Sequence, residues 1–437
     1  MREEDLPVFV KRSEIAFKKR SKLSIAERVR YIEDFLKKYT QQKKHIAELI
    51  SKEIGKPITQ ALWDIDYDIW YIQWYLESSE DILQSQIIYE DKHAIHTLYY
   101  EPKGVGGSIS PRNYPTSQFV WQVIPPLLAG NTVLYKPSNL CIRTAKVVSE
   151  LLATCVPKDV FIPLYGAGDV GAALVKSDID FVVFTGSSQT WQKISLNAAE
   201  WLKKTFLELG GSAPGIILPD AIINDDMMEM ISYSRWWNAG QICDGLKRLF
   251  VHNSRYEELI NTLKKYLQDK KVGDPLDPDT HVGCLVSQNQ LDLVQGQLQD
   301  AKKQGAELIE FGQYDGTLGP FLKPTLVLNP TRKMLVMREE VFAPVLPIMK
   351  YETIDEAIEI ANDTEYGLGG YLRGENKKEL SYVSSKLKTW NIAVNNTSYL
   401  LPQIPFGWYK KASGNCREHG RMGLREYCEV KVVSSPL

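Results

Sequence analysis

Between Val105 and Phe184 the chain alternates short apolar runs with longer stretches of helical spacing, and that alternation admits few architectures. The apolar runs are Val105 to Ile109, Thr132 to Tyr135, Phe161 to Tyr165 and Phe181 to Phe184. Helical stretches begin near Thr116 and Thr144. Strands separated by helices pair in parallel, because each crossover returns the chain to the same end of the sheet. A second rhythm of the same kind starts near Gly215-Ile216-Ile217-Leu218 and runs to about Gly370, with helices expected from Tyr256 to Lys271 and Gln288 to Gln304. The fold class expected is α/β, with two parallel-sheet units.

The flanks read differently. From Ser13 to about Ser79 the pattern is helical, and Ser24-Ile25-Ala26-Glu27 has capping-box spacing. Ile25, Val29, Ile32 and Leu36 then recur as one helix face should. Residues from about Ile87 to Glu101 are rich in Ile, Thr and Tyr, which suits an extended ribbon, and Tyr427 to Ser434 reads as a strand through Val430, Val432 and Val433.

Composition narrows the functional class. A chain of 437 residues is too long for one core. Its formal net charge of -2 gives no electrostatic case for nucleic acid or an anionic membrane. The six cysteines are scattered without a Cys-x-x-Cys pair, against a disulfide framework or a structural zinc site. Met1-Arg2-Glu3-Glu4-Asp5 is acidic with no apolar run behind it, so no secretory signal is expected and a reducing cytoplasm is. The most apolar long run, Phe119 to Tyr135, is interrupted by Gln122, Pro125-Pro126, Gly130 and Asn131, and reads as buried helix and strand.

Four ordered motifs carry chemistry: Ser110-Pro111-Arg112-Asn113-Tyr114-Pro115, Leu207-Glu208-Leu209-Gly210-Gly211, Asn238-Ala239-Gly240-Gln241-Ile242-Cys243 and Glu339-Glu340-Val341-Phe342-Ala343-Pro344. They supply an amide, a carboxylate, a thiol and a second carboxylate. The apolar neighbours of Glu208 should raise its pKa, as suits a base that works near neutrality. Gly166-Ala167-Gly168-Asp169-Val170-Gly171 matches a dinucleotide fingerprint, although no acidic residue ends a following strand at the right distance; a tight strand-to-helix turn explains it equally. Phe184-Thr185-Gly186-Ser187 places small residues at a helix N-terminus, where backbone N–H groups can meet a phosphate.

Together these motifs resemble the aldehyde dehydrogenase superfamily, from about Arg12 to the end of the chain. The resemblance implies NAD or NADP as cofactor, no metal, and Cys243 as the nucleophile, with Asn113 and the Cys243 backbone N–H as oxyanion donors and Glu208 as base. It implies Lys136 and Ser138 beside the adenosine ribose, Gly166, Gly186 and Ser187 beside the cofactor, Glu340 on the nicotinamide ribose and Phe342 near the ring. Asn139 stands where a glutamate is usual, which removes repulsion against a 2′-phosphate and leaves NAD versus NADP open. Arg112, Trp191, Ala343 and Trp408 also depart from the family pattern.

The family's substrate-tunnel positions fall on Tyr114, Gln118, Trp121, Trp237 and Phe406. Their aromatic character implies an apolar or aromatic aldehyde, oxidised to the acid through a thiohemiacetal and a thioester. A semialdehyde dehydrogenase of the same fold and a catalytically silent binding homologue are the alternatives. The implied organisation is a Rossmann-like cofactor domain over 1–86 and 102–210, a catalytic domain over 211–425, and oligomerisation strands over 87–101 and 426–437. A homodimer or homotetramer follows from the resemblance, with those strands pairing across a two-fold axis.

Overall fold

The computed structural model describes residues 3–397 and 400–437. Four helices open the chain: α1 (Leu6–Arg20), α2 (Ile25–Gln41), α3 (Lys43–Ile54) and α4 (Ile58–Leu83). The capping box at α2 forms as the sequence reads: Ser24 accepts from the Glu27 backbone N–H, and the Glu27 carboxylate accepts from Ser24 N at 2.8 Å. That fixes where α2 starts and turns Ile32, Phe35 and Tyr39 into the core. Helix α4 runs past Ser79 to Leu83, and Trp63, Tyr67, Tyr71 and Tyr75 recur along it at four-residue steps, so their rings share one face.

The next strands are β1 (Gln86–Glu90) and β2 (Ala94–Pro102), an antiparallel hairpin. The C-terminal strand Cys428–Pro436 pairs antiparallel along the whole of β2, giving the order β1, β2, C-terminal strand. The two segments read from sequence as separate edges are thus one three-stranded sheet within the chain. Ile87, Ile88, Tyr89, Val430 and Val432 stay exposed on it.

The first α/β rhythm becomes β3 (Val105–Ile109), α5 (Pro115–Ala129), β4 (Thr132–Lys136), α6 (Ile142–Ala153), β5 (Phe161–Pro163), α7 (Gly168–Lys176), β6 (Phe181–Thr185), α8 (Ser188–Ala199) and β7 (Lys204–Glu208). These strands form one parallel sheet in the order β5-β4-β3-β6-β7. The chain builds outward from β3 in one direction and resumes at β6 in the other, so a crevice opens between the C-terminal ends of β3 and β6. Open parallel sheets bind ligands at such a reversal. Every residue of α5, prolines included, is buried, as expected of that apolar run. Among the described residues, no helix is long and apolar enough to cross a membrane.

The second rhythm forms a seven-stranded sheet around β8 (Ala213–Ile217) and β9 (Leu246–His252). Its order is Glu307–Glu310, Thr325–Leu328, Val345–Tyr351, β9, β8, Tyr371–Arg373 and Ala393–Val394, with only the first strand antiparallel. It extends past Gly370 because Ala393–Val394 adds a short parallel edge. Between β8 and β9 lies α9 (Asp225–Trp236), whose end delivers Cys243.

Candidate active site

The backbone beyond α9 turns sharply. Asn238, Ala239 and Gly240 are all left-handed, at φ 51°, 50° and 73°. Asn and Gly tolerate this region; Ala pays strain there, and such strain gathers at functional loops. Side chains hold the turn in place: Asn238 N donates to Gln60 Oε1 at 2.8 Å and Asn238 Nδ2 to Asn113 O at 2.8 Å. A Cβ on Gly240 would stand 2.2 Å from Ala343 O, so only glycine fits. Asn113, in the turn before α5, donates from Nδ2 to Gln241 O at 3.0 Å. One amide hydrogen therefore anchors Asn113 to the cysteine loop, and the other is left for a ligand.

A cavity of about 190 Å³ collects the parts that sequence spreads over 230 residues: Asn113, Gly186, Ser187, Cys243, Glu340 and Phe342 all line it, together with Arg112. The Gly210–Gly211 pair makes this possible. Cβ atoms there would lie 2.5 Å from Glu340 Oε2 and 2.3 Å from Cys243 O. Glu340 accepts from Gly211 N at 3.1 Å and from Lys247 Nζ at 3.4 Å. Lys247, buried, also reaches Cys243 O, and so ties the carboxylate to the cysteine loop. Burial pushes the Cys243 thiol well up, Asp244 adds to the rise, and Lys247 opposes it. Ionising such a thiol calls for a base or a nearby positive charge.

A second cavity, about 520 Å³, opens along the sheet edge between α7 and α8. Ile109 and Phe184 form apolar walls, and Lys136, Asp169, Thr190, Lys193 and Asn197 bring polar groups. The N-terminus of α8 stands between the two cavities. Ser187 lines the first and Thr190 the second, so free backbone N–H groups face the gap a pyrophosphate would bridge. Gly168 and Gly171 line the second cavity, whereas Gly166, expected there, does not: its absent Cβ leaves room for Val170 in a tight strand-to-helix turn. Ser138 borders neither cavity and instead accepts from Leu140 N, while Asn139 is exposed beside it. Lys193 and Asp169 were not singled out in sequence, since a helix-face Lys and a first-turn Asp look ordinary.

Glu208 ends β7 and is buried, yet it does not line the Cys243 cavity. Its Oε1 accepts from Cys416 Sγ at 3.3 Å, and Oε2 has no hydrogen-bond partner among the described residues. Burial, then Glu418, push its carboxyl well up, as the apolar setting in sequence led one to expect; the Cys416 thiol and Arg417 pull it back.

The family model for the aldehyde dehydrogenase family matches residues 1–433. The chain belongs to the aldehyde dehydrogenase family. It is 35% identical over 418 residues to aminoaldehyde dehydrogenase 2, peroxisomal, of Pisum sativum, covering 94% of this chain and 82% of that enzyme. The NAD+ complex of an aldehyde dehydrogenase from Bacillus cereus superposes with a TM-score of 0.95 at 32% identity, covering all of this chain and 89% of that one. An E. coli NADP-dependent enzyme also reaches 0.95, at 28% identity, with 100% and 91% covered. The chain is an NAD(P)-dependent enzyme that oxidises an aldehyde to the acid.

In this aldehyde dehydrogenase the expected tunnel positions join a larger aromatic cluster. Trp237 meets Trp63 at 5.7 Å and Tyr233 at 4.9 Å between ring centroids. Trp121 meets Tyr67, Tyr71 and His419, and His419 stacks on Phe406 at 5.5 Å. Tyr114 lies under the buried Lys56 ammonium at 3.6 Å, and Lys56 is paired with Asp64. Gln118 is the exception: it accepts from Gln122, which donates on to Thr185, in a buried polar chain linking α5 to β6. Trp63, Tyr67 and Tyr71 were missed, although their four-residue spacing on α4 was a readable signal. A groove of about 710 Å³ is lined by Thr59 and by Tyr233 and Trp237 of this cluster, and not by the thiol.

Two departures from the family pattern find packing roles. Trp191 packs against the apolar cluster that includes Ile194, Ala198 and Leu207. Trp408 takes the Arg417 guanidinium at 5.6 Å from its ring, with Trp390 at 4.3 Å on the same cation.

Proposed function

We propose that Cys243 is the nucleophile and that Asn113 and the Cys243 backbone N–H are its oxyanion donors. The single observation that carries this reading is the shared cavity of Cys243, Asn113, Glu340 and Phe342. The thiolate adds to the aldehyde carbon, and the two N–H donors hold the resulting oxyanion; one such donor is worth roughly 3 kcal/mol. The bound nicotinamide supplies the hydride acceptor. Glu340 and Phe342 would hold that end of the cofactor, Lys136 the adenosine end, and Gly186 and Ser187 the phosphates between. Water activated by Glu208 then cleaves the thioester, returning the thiol and releasing the acid.

The substrate reading is an aldehyde with an apolar or aromatic body, carried by the rings around Trp121, Trp237 and Phe406. A second reading has a specific support. Ring faces also attract ammonium groups, and the Pisum sativum relative is named for aminoaldehydes. Initial rates with a panel of aliphatic, aromatic, ammonium-bearing and dicarboxylic aldehydes, each with NAD and NADP, decide between them. Preference for a dicarboxylic semialdehyde would overturn both, and no turnover with any would favour a silent homologue.

Residues 1–86 and 102–210 form the cofactor unit in this reading, and 211–425 the catalytic unit. The exposed apolar face of the three-stranded sheet suits a homodimer or homotetramer. Light scattering on a chain truncated after Glu426 tests this: an intact dimer would exclude the strand as the contact. Six free cysteines suit a reducing cytoplasm.

A further inference from the structure

Cys416 is buried at the start of the C-terminal hairpin in which Phe406–Gly407 pairs with Arg417–Glu418. Its thiol hydrogen has two acceptors in reach, Glu208 Oε1 at 3.3 Å and Leu207 O at 3.5 Å. The pocket around this contact is tight. A Cβ on Gly407, at φ 159°, would stand 3.1 Å from Glu208 Oε1 and 2.3 Å from Cys416 O. No other hydrogen bond to the Glu208 carboxyl occurs among the described residues, and Oε2 is buried without a partner.

We propose that Cys416 is a positioning residue for thioester hydrolysis, its thiol holding the Glu208 carboxyl by a donated hydrogen bond so that the free oxygen Oε2 is left to receive the proton of water. This rests on the reading of Glu208 as base. In the step it serves, the water oxygen bonds to the thioester carbon and the C–S bond to Cys243 breaks. The water proton passes to Glu208 and from there to the departing thiolate.

The thiol can do this because it follows the charge of its partner. It donates to Oε1 when Glu208 is ionised, and can swing to Leu207 O when Glu208 is protonated. Burial, then Glu208 itself, push the Cys416 thiol up, so it stays an S–H donor. The other groups facing Glu208 are Glu418 and Arg417 from the hairpin and Cys243 and Asp244 from the nucleophile loop. Glu418 disfavours the ionised carboxylate and Arg417 favours it. Removing the thiol donor leaves Arg417 alone against burial, Glu418 and Asp244, so the base ionises only at higher pH.

The test is hydrolysis of p-nitrophenyl acetate by the full-length enzyme and its C416A, C416S and E208Q variants across pH. The burst reads acylation of Cys243, the steady phase reads deacylation, and neither needs hydride transfer. C416A is expected to keep the burst, to lose about fivefold in the steady phase at neutral pH, and to shift its acid limb upward. C416S, which restores a donor, is expected to return both toward wild type. A steady phase that slows in C416A with an unmoved acid limb would show mere repacking and overturn the proposal, as would equal rates in wild type, C416A and C416S. If C416A does not fold, the proposal stands or falls on C416S, whose restored donor must hold the acid limb at or below its wild-type position, and a limb shifted upward in C416S would overturn it. If E208Q deacylates like wild type, the reading of Glu208 fails instead.

Discussion

The cofactor crevice and the aromatic cluster are built on opposite principles. The crevice is made of short local segments, a strand end, a glycine turn and a helix N-terminus, repeated along one sheet edge. A glycine turn and a helix N-terminus there present backbone N–H groups beside the lining side chains. The aromatic cluster draws on α4, α5, the end of α9 and the C-terminal hairpin, and consists almost wholly of side chains in contact. The first kind of site is held by hydrogen bonding within its own segment. The second exists only once distant elements have packed.

The severest way to break the comparison is Cys243→Ala, which leaves both regions intact and removes the thiol alone. Turnover should fall by at least about 10³-fold, the scale for loss of a covalent nucleophile. Cofactor affinity by fluorescence titration should stay within about twofold. Turnover near wild type would falsify the assignment of the thiol.

Glu208→Gln comes next. Deacylation should slow by about 10²-fold while a burst of reduced cofactor persists. In the wild type the raised Glu208 carboxyl is competent only when ionised, so deacylation should climb with pH through that raised value and fade as pH drops below it. A profile flat from acid to alkaline pH would place the base elsewhere.

The two sides separate more sharply with Trp237→Ala. The KM for the preferred aldehyde should rise about tenfold, as for a lost aromatic contact, with the KM for the cofactor unmoved. Equal changes in both would mean that the cluster supports the crevice rather than the substrate.

The smallest effect is expected at Asn139, exposed near the strand end that bears Lys136. Restoring a carboxylate with Asn139→Glu should shift the NAD to NADP ratio of kcat/KM toward NAD by about three- to tenfold, through repulsion of a 2′-phosphate near the surface. An unchanged ratio would transfer the choice to Lys193 and Asp169, which line the adenosine-side cavity.

Legibility in the sequence followed the same division. The capping box at Ser24, the parallel strands, the buried proline-bearing α5 and the Gly186 turn could be read because each depends on residues within a few positions of one another. The motifs around Cys243, Asn113, Glu208 and Glu340 were legible as well, but the side chains that hold them were not. Nothing near position 208 in the sequence announces Cys416 or Glu418, and Lys247 looks like any lysine in a strand. Gly166 fitted a dinucleotide pattern, but the pattern encodes a turn, and where that turn points depends on the sheet beneath it. The pairing of β2 with the C-terminal strand likewise joins residues more than 320 positions apart.

What the sequence by itself determined is therefore the local grammar: which segments are strands and helices, where a thiol, an amide and two carboxylates occur, and the α/β class. Backbone geometry and hydrophobic spacing act over a few residues, and they do not need the rest of the chain. Only the tertiary structure decided that Asn113, Cys243 and Glu340 share one small cavity and that Glu208 turns instead toward Cys416. Only it joined the rings of α4 to Trp121, Trp237 and Phe406. Those outcomes depend on packing, in which close approach at Gly210, Gly211 and Gly240 and burial of unpaired polar atoms are settled by elements that the chain brings together from far apart.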